Sequence, residues 1–209
     1  ITDFVNEVMR RNAGAQLSAT AAFSLDAGLD TGAITLAELS RLYPYDNTLR
    51  AVKISGAQLR AFLEHSARYY RSLGPNSEVP TGGIVDPSVP GFNFDGVSGA
   101  EYTLDLRKPV GQRVTRLDVG GRTVQATDSF TLALNNYRQG GGGGYAMLAG
   151  APLVHNRDLD IRQLLIEEVQ KTGTLDPAKY ATTNWSLEPA SARAAAFAEQ
   201  RRNRVAEQG

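Results

Sequence analysis

The chain has 209 residues, 42% of them hydrophobic, which is enough for one sizeable globular domain with appendages. Its 22 basic and 22 acidic residues give a formal net charge of zero, which argues against a nucleic-acid polymer held by bulk charge. The absence of cysteine excludes disulfides, thiol catalysis and zinc–thiolate sites, and no apolar run is long enough to predict a membrane span.

Hydrophobic periodicity and turn signals predict helices mixed with strands. Gly14 is a helix stop, and two capping boxes, Thr35 with Glu38 and Ser55 with Gln58, mark helix starts. In chain order the pattern predicts a helix over 1–13, a strand over 17–23, a helix over 35–42, a turn over 43–47, a strand over 49–54, a helix over 55–73, a long loop over 74–91, strands over 102–106, 114–119, 122–124 and 130–134, a helix over 158–172 capped by Asp158, and a strand over 185–187.

Hairpins and helical crossovers are mixed in this order, so we predict an α+β fold with mixed sheets and flanking helices. Residues 1–189 are expected to form one domain. From Ala190 the composition changes to Ala, Arg, Glu and Gln, so residues 190–209 are expected to form a helical or frayed C-terminal tail. The sequence starts at Ile1 without a methionine or a signal-like segment, so we expect it to be part of a longer protein.

The most unusual segment is a run of five glycines, Gly140–Gly144, directly after the strand over 130–134 and the residues Asn135, Asn136 and Tyr137. Glycines offer little surface to pack and lose much chain entropy on ordering, so the run does not favour stability. It suits a place where backbone approaches a ligand closely, and a flexible hairpin tip is the alternative.

The sequence offers no constellation of catalytic residues. His65 lies on a predicted helix beside Glu64 and is expected at the surface or an edge, and His155 is expected in a loop. The sequence has neither the G-x-S-x-G motif of serine hydrolases nor a P-loop. We therefore predict no catalytic residue and no metal ligand here, and interpret the chain as a binding domain.

Two tyrosines are the strongest candidates for ligand contacts. Tyr45 lies in a turn before one predicted strand, and Tyr137 directly follows another. If both strand ends face one cleft, the rings could stack on either side of a planar base. Either ring alone could instead cover the edge of the core.

Several segments resemble the C-terminal domain of the 5′-nucleotidase family, most closely its 2′,3′-cyclic-nucleotide 2′-phosphodiesterase/3′-nucleotidase branch and related bifunctional enzymes. The similarity extends over most of residues 1–189, and its specific motifs are Leu-Tyr-Pro-Tyr-Asp-Asn-Thr-Leu (42–49), Val-Lys-Ile-Ser-Gly-Ala-Gln-Leu (52–59), Phe-Asn-Phe-Asp-Gly (92–96) and Asn-Asn-Tyr-Arg (135–138).

The resemblance implies a layered α/β/β/α domain that binds nucleotide or nucleoside substrates. It also implies an N-terminal metallophosphoesterase partner domain with two divalent metals, and a periplasmic, secreted or cell-wall location. In this family two aromatic rings enclose the base beside a glycine loop. The residues that match these roles, together with nearby polar candidates for substrate contacts, are Tyr45, Tyr137, Asn47, Asn136, Arg138, Gly140, Gly141, Gly142 and Gly143; Arg138 could instead be a surface cation.

Two departures from the family pattern bear on how ribose and phosphate are held. Members specific for 5′-nucleotides carry an Asn-Gly-Gly-Ile-Arg-like stretch, but residues 23–28 contain no arginine here. Many of them also have aspartate in the glycine loop where this chain has Gly143. Both departures favour the cyclic-phosphodiesterase branch.

Three functions are compatible with these features. The first is the substrate-binding domain of a metal-dependent nucleotide phosphohydrolase, inactive as an isolated fragment. The second is a non-catalytic module that binds nucleosides or another protein. The third is a dimerisation domain, to which the Arg-rich tail beyond Ala190 would contribute.

Overall fold

A computed structural model of the chain describes residues 1–23 and 28–206. Within these residues the α-helices are α1 (Thr2–Ala13), α2 (Leu36–Leu42), α3 (Gly56–Ser66), α4 (Asn136–Gln139), α5 (Ile161–Thr172) and α6 (Ala190–Ala206). The strands are β1 (Leu17–Ala21), β2 (Thr48–Ser55), β3 (Asp95–Ser98), β4 (Ala100–Asp105), β5 (Val114–Val119), β6 (Arg122–Thr123), β7 (Ser129–Asn135), β8 (Leu153–Asp160) and β9 (Trp185–Glu188).

The strands form two mixed sheets. The five-stranded sheet has the order β3-β1-β7-β2-β8, in which β1 and β7 are parallel and the other neighbours antiparallel. The four-stranded sheet has the order β6-β5-β4-β9, in which β4 and β9 are parallel. The predicted α+β class with mixed sheets and flanking helices is thus confirmed.

Two hydrophobic clusters hold the layers together. One face of the five-stranded sheet packs against α1 and α5, through residues such as Val8 and Leu165. The other face packs against α3 and the four-stranded sheet, through residues such as Phe62 and Leu104. Each cluster removes apolar side chains from water, which is the main favourable contribution to folding.

Local signals marked several element ends correctly. Gly14 ends α1 in the left-handed conformation, with φ of 60°. Both predicted capping boxes form, Thr35 with Glu38 before α2 and Ser55 with Gln58 before α3. These predictions are confirmed, and each depends only on residues close together in the chain.

The prediction that α3 continues to Leu73 is wrong. The helix ends at Ser66 and is followed by a 3₁₀ turn, Ala67–Tyr69. The buried guanidinium of Arg113 donates to the carbonyl oxygens of Ala67 and Tyr70, at 2.5 and 2.6 Å. A partner more than forty residues away in the chain thus binds the carbonyls at the helix end, and local periodicity gave no sign of it.

The start of α5 was also predicted wrongly. Asp160, and not Asp158, caps α5 by accepting a hydrogen bond from the backbone N–H of Gln163, at 2.8 Å. Asp158 lies within β8 with φ of 51°, and its carboxylate pairs with Arg50 at 2.6 Å. β8 and β3 were not predicted, and β1 ends at Ala21, short of the predicted end at residue 23.

The C-terminal segment forms α6, one of the two alternatives predicted for the tail. Ala192 is fully buried in the core, and the Glu199 carboxylate accepts a hydrogen bond from the Ile84 backbone at 2.8 Å. This bond ties α6 to the predicted long loop over 74–91.

Candidate nucleotide-binding site

The strand directions bring five strand ends to one edge of the five-stranded sheet. Here β1, β7 and β8 end, and β2 and β3 begin, as the register pairs at the edge show: Ala21 with Asp95, Leu49 with Asn135, and Thr48 with Asp160. We call this the site edge. The loops that leave it carry most of the candidate residues from the sequence.

Tyr45 and Tyr137 both lie at the site edge and are both exposed. Tyr45 precedes β2 and is 47% exposed, and Tyr137 follows β7 and is 51% exposed. The side-chain oxygen of Asn136 accepts a hydrogen bond from the backbone N–H of Thr48 at 3.0 Å, which links the two segments. Tyr45 is supported edge-on by Phe23, with ring centroids 5.1 Å apart.

The asparagines at this edge have different surroundings. Asn47 is half-buried and its carbonyl oxygen accepts from the N–H of Ile161, at 3.1 Å. Asn135 is buried, caps α4 by accepting from the N–H of Arg138 at 2.8 Å, and donates to the Tyr43 hydroxyl at 3.2 Å. Burial raises the pKa of Tyr43 to about 12, so its hydroxyl stays protonated. Asn135 therefore fixes the turn that presents Tyr137.

The glycine loop lies directly against neighbouring side chains. A Cβ added to Gly142 would overlap the ring of Tyr137. A Cβ added to Gly143, whose φ is 71°, would overlap the Arg138 guanidinium and the Asn93 side-chain oxygen. Glycine is favoured at Gly143 both by its positive φ and by the buried Arg138 guanidinium, whereas at Gly142 a side chain would displace the ring of Tyr137.

Arg138 lies beneath the loop and is only 3% exposed. Its guanidinium forms a two-pronged ion pair with Asp95, at 2.7 and 3.0 Å, and also donates to the carbonyls of Gly142 (3.1 Å) and Phe92. Burial alone would lower the pKa of Arg138, but the hydrogen bonds and charge of Asp95 outweigh it and raise that pKa. The sequence alternative of a surface cation is therefore wrong.

His65 supports the loop from α3 and is half-buried, at an edge as predicted. Its Nε2 lies 2.8 Å from the carbonyl oxygen of Gly143 and 2.8 Å from the Arg68 guanidinium. Burial lowers the pKa of His65, and the charge of Arg68 acts in the same direction. His155, expected in a loop, lies instead within β8.

Tyr145 closes the far end of the loop and is fully buried. Its hydroxyl lies 2.7 Å from the Ser66 hydroxyl and donates to the carbonyl of Asn93 at 2.9 Å. Sequence reasoning gave no role to Tyr145, Asp95 or Asn93, and it did not connect His65 with the loop. The Phe-Asn-Phe-Asp segment was noticed only through its resemblance to the family, and nothing local indicated its contact with Arg138.

Across the described ranges, 1–23 and 28–206, no group of three or more His, Asp or Glu side chains is arranged to hold a metal ion. In the same ranges no helix has both the length and the apolar character needed to cross a membrane. Of the stretch 23–28, whose sequence lacks the arginine of the 5′-specific members, residues 24–27 lie outside the described residues.

A sequence profile of the 5′-nucleotidase C-terminal domain matches residues 1–150, which is more than half of the chain. The chain belongs to this family. The resemblance found in the sequence motifs is thereby confirmed, and the site edge is that of a 5′-nucleotidase C-terminal domain.

Curated relatives of this 5′-nucleotidase C-terminal domain include nucleotide phosphoesterases. The chain is 30% identical over 177 residues to the 2′,3′-cyclic-nucleotide 2′-phosphodiesterase/3′-nucleotidase of Haemophilus influenzae. The aligned region covers 77% of this chain and 26% of that protein. It is 28% identical over 175 residues to the trifunctional nucleotide phosphoesterase protein YfkN of Bacillus subtilis, covering 78% of this chain and 12% of that protein. The chain thus spans about a quarter or less of the length of these two relatives.

Solved structures agree with this fold. A Staphylococcus aureus protein described as a 5′-nucleotidase, in complex with alpha-ketoglutarate, superposes with a TM-score of 0.78 at 28% identity, covering 90% of this chain and 36% of that one. The 5′-nucleotidase precursor of Thermus thermophilus gives a TM-score of 0.71 at 22% identity, covering 90% and 35%. The second likeness supports the fold alone.

Proposed function

We propose that this chain is the substrate-binding domain of a metal-dependent nucleotide phosphohydrolase of the cyclic-phosphodiesterase/nucleotidase type. Tyr45 and Tyr137 stack on the two faces of the base. Asn47, Asn136 and the backbone of Gly140 to Gly143 border the sugar.

The observation that carries the proposal is the pair of half-exposed phenol rings at one sheet edge. The Asn136–Thr48 hydrogen bond joins their segments, and Phe23 packs edge-on against Tyr45. Tyrosine rings present an apolar face that suits a planar base, and such stacking tolerates different bases. The names of the curated relatives support a nucleotide as the ligand.

Within this proposal the chain binds and orients, and another domain carries out the hydrolysis. As the family resemblance implies, the two divalent metals would belong to an N-terminal metallophosphoesterase domain, where they would supply the hydrolytic chemistry. The isolated chain would then bind nucleotide without hydrolysing it. A periplasmic, secreted or wall-attached location fits this role, and venom 5′-nucleotidases are among the relatives.

Isothermal titration of the 209-residue chain with adenosine and AMP tests the proposal. We expect both ligands to bind, and Tyr45→Ala and Tyr137→Ala each to weaken binding of both. Phe197→Ala removes an exposed aromatic side chain from α6, far along the chain from either tyrosine, and is the matched control that should leave affinity unchanged. Failure of the wild-type chain to bind either ligand, or equal affinity in the tyrosine variants, would contradict the stacking site.

A further inference from the structure

Arg138 occupies a central position under the candidate site without being available to a ligand. Its Nε and Nη2 bind the two carboxylate oxygens of Asp95, its Nη1 binds the Gly142 carbonyl, and Nη2 also binds the Phe92 carbonyl. Four hydrogen bonds therefore use most of the five N–H groups of a guanidinium. With a side chain 3% exposed, Arg138 has almost no surface to offer a nucleotide.

These bonds join two segments of the chain that meet at the site edge, residues 92–95 and residues 137–142. Asp95 starts β3, Phe92 lies in the turn before it, and Gly142 lies in the glycine loop. Arg138 itself follows Tyr137 in α4, and its guanidinium carbon lies 5.5 Å from the centroid of the Tyr137 ring. One guanidinium therefore contacts β3, the glycine loop and the ring of Tyr137.

The same guanidinium also packs on the buried Tyr145, with its carbon 4.4 Å from that ring centroid. The Tyr145 hydroxyl in turn donates a hydrogen bond to the carbonyl of Asn93, which lies in the turn before Asp95. The contacts thus form a closed set around one cation, whose charge Asp95 balances. A cation in such a place orders its surroundings because each partner loses its hydrogen bond if the cation is removed.

We propose that Arg138, with Asp95 as its counterion, is a positioning residue that holds Tyr137 and the glycine loop in the ligand-binding geometry and does not itself contact the nucleotide. This inference rests on the proposed function. It replaces the direct polar contact with substrate that the sequence analysis predicted for Arg138.

The first test measures the affinity of Arg138→Lys and of Asp95→Asn for adenosine and for AMP. Lysine keeps the charge and loses the two-pronged geometry, whereas asparagine keeps the shape and loses the countercharge. If Arg138 acts through Tyr137 and the glycine loop, each variant weakens the binding of adenosine and the binding of AMP by the same factor, tenfold or more. A loss confined to AMP in Arg138→Lys would show a direct phosphate contact and overturn the inference.

The double variant Asp95→Asn/Arg138→Lys extends the test. If Arg138 and Asp95 act together as one ion pair, the two losses of affinity should not add, because the second change disrupts a pair that is already broken. Fully additive losses, or unchanged affinity in both single variants, would overturn the inference. If Arg138→Lys does not fold, Asp95→Asn alone carries the test, since it retains the guanidinium.

Arg113→Lys is the matched control for a buried arginine. The Arg113 side chain is also fully buried, but it holds the carbonyls of Ala67 and Tyr70 and the Ser72 hydroxyl, at the end of α3. This variant should lower stability and leave the affinity of the folded protein unchanged.

The experiments distinguish failure of the inference from failure of the proposed function. If the wild type binds and Tyr137→Ala weakens binding but Arg138→Lys does not, the inference alone is refuted. If the wild type does not bind, the proposed function is refuted.

Discussion

The molecule contains two glycine turns that look alike in sequence and differ in their surroundings. Gly120–Gly121 joins β5 to β6, and a Cβ added at either position would meet nothing within 4 Å. In the glycine loop, Cβ atoms at Gly142 and Gly143 would overlap neighbouring side chains. The first turn needs glycine only for its backbone conformation, whereas the second needs it because other groups come close.

The difference lies in what surrounds each turn. The hairpin turn is fixed by two strands that are adjacent in sequence, so it forms without distant partners. The glycine loop is held by hydrogen bonds to Arg138 and to His65 from α3, and the side chain of Asn93 lies close against Gly143. A glycine run that costs chain entropy is thus anchored at the point where we propose that ligand binds.

Replacing one glycine in each turn should give the largest expected effect, a difference in stability between the two variants. Gly143→Ala adds steric overlap with Arg138 and Asn93 to an unfavourable positive φ, so we expect a loss of about 3 kcal/mol in the free energy of unfolding. Gly121→Ala adds only the conformational cost and should lose about 1 kcal/mol. Urea denaturation of both variants measures the difference, and equal losses would mean that the glycine loop is no more crowded than the hairpin.

Removing the ring beside the loop should be next in size. Tyr137→Ala should weaken adenosine binding by about 1–3 kcal/mol, roughly fivefold to 150-fold, because one stacking face is lost. The same change leaves the core intact, since the ring is about half exposed. Titration calorimetry measures the affinity, and Gly121→Ala, far from the site edge, should bind as the wild type does.

Loss of the cap that presents Tyr137 should have a smaller effect. Asn135→Ala removes the hydrogen bond to the Arg138 N–H and leaves the buried Tyr43 hydroxyl without its Asn135 partner. We expect about 1–2 kcal/mol of lost stability and a modest loss of affinity. Thermal denaturation checks the first, and Asn135→Asp, which keeps the cap acceptor, should recover part of it.

The smallest effect should be the pH dependence that His65 contributes. Its pKa is lowered in the folded protein, so below about pH 6.5 the unfolded chain binds a proton that the folded chain does not. Stability is therefore lost as pH falls from about 6.5 towards the lowered pKa, and is unaffected by this group at higher pH. Burial is the main cause of the lowered pKa of His65; the charges of Arg68 and Arg138 act in the same direction, and the hydrogen bond to the Gly143 carbonyl and the charge of Asp95 oppose it.

Urea unfolding at about pH 8 and about pH 5.5 measures this effect. His65→Gln should lose less stability on acidification than the wild type. The pKa of His155 is lowered too, by burial first and then by Arg157 and Arg50, so His155→Gln removes a contribution unrelated to the loop. An unchanged pH dependence in His65→Gln would contradict the prediction.

The sequence predicted those parts of the fold that depend on near neighbours. The capping boxes at Thr35 and Ser55 needed only local spacing, and the alternating and apolar runs located β5 and β7. β3 was missed because Asp-Gly-Val-Ser is short and carries glycine. β8 was missed because it is an edge strand, largely exposed and with several charged or polar residues.

The candidate site divides in the same way. Tyr45, Tyr137 and the glycines could be predicted because turn residues, strand ends and family motifs are visible in the sequence. Asp95 and His65 were not connected with the loop, since their partners lie 43 and 78 positions away. Only the register of β1 with β3 and the packing of α3 bring these groups together.

The single tryptophan gives the protein a built-in optical reporter. The Trp185 indole stacks on Tyr102, with centroids 5.9 Å apart, and lies 5.4 Å from the ring of Phe94, which precedes Asp95 in the chain. Its emission therefore has one source and is sensitive to any displacement of the segment that carries the counterion. Fluorescence recorded during a nucleotide titration would follow that segment without an added dye.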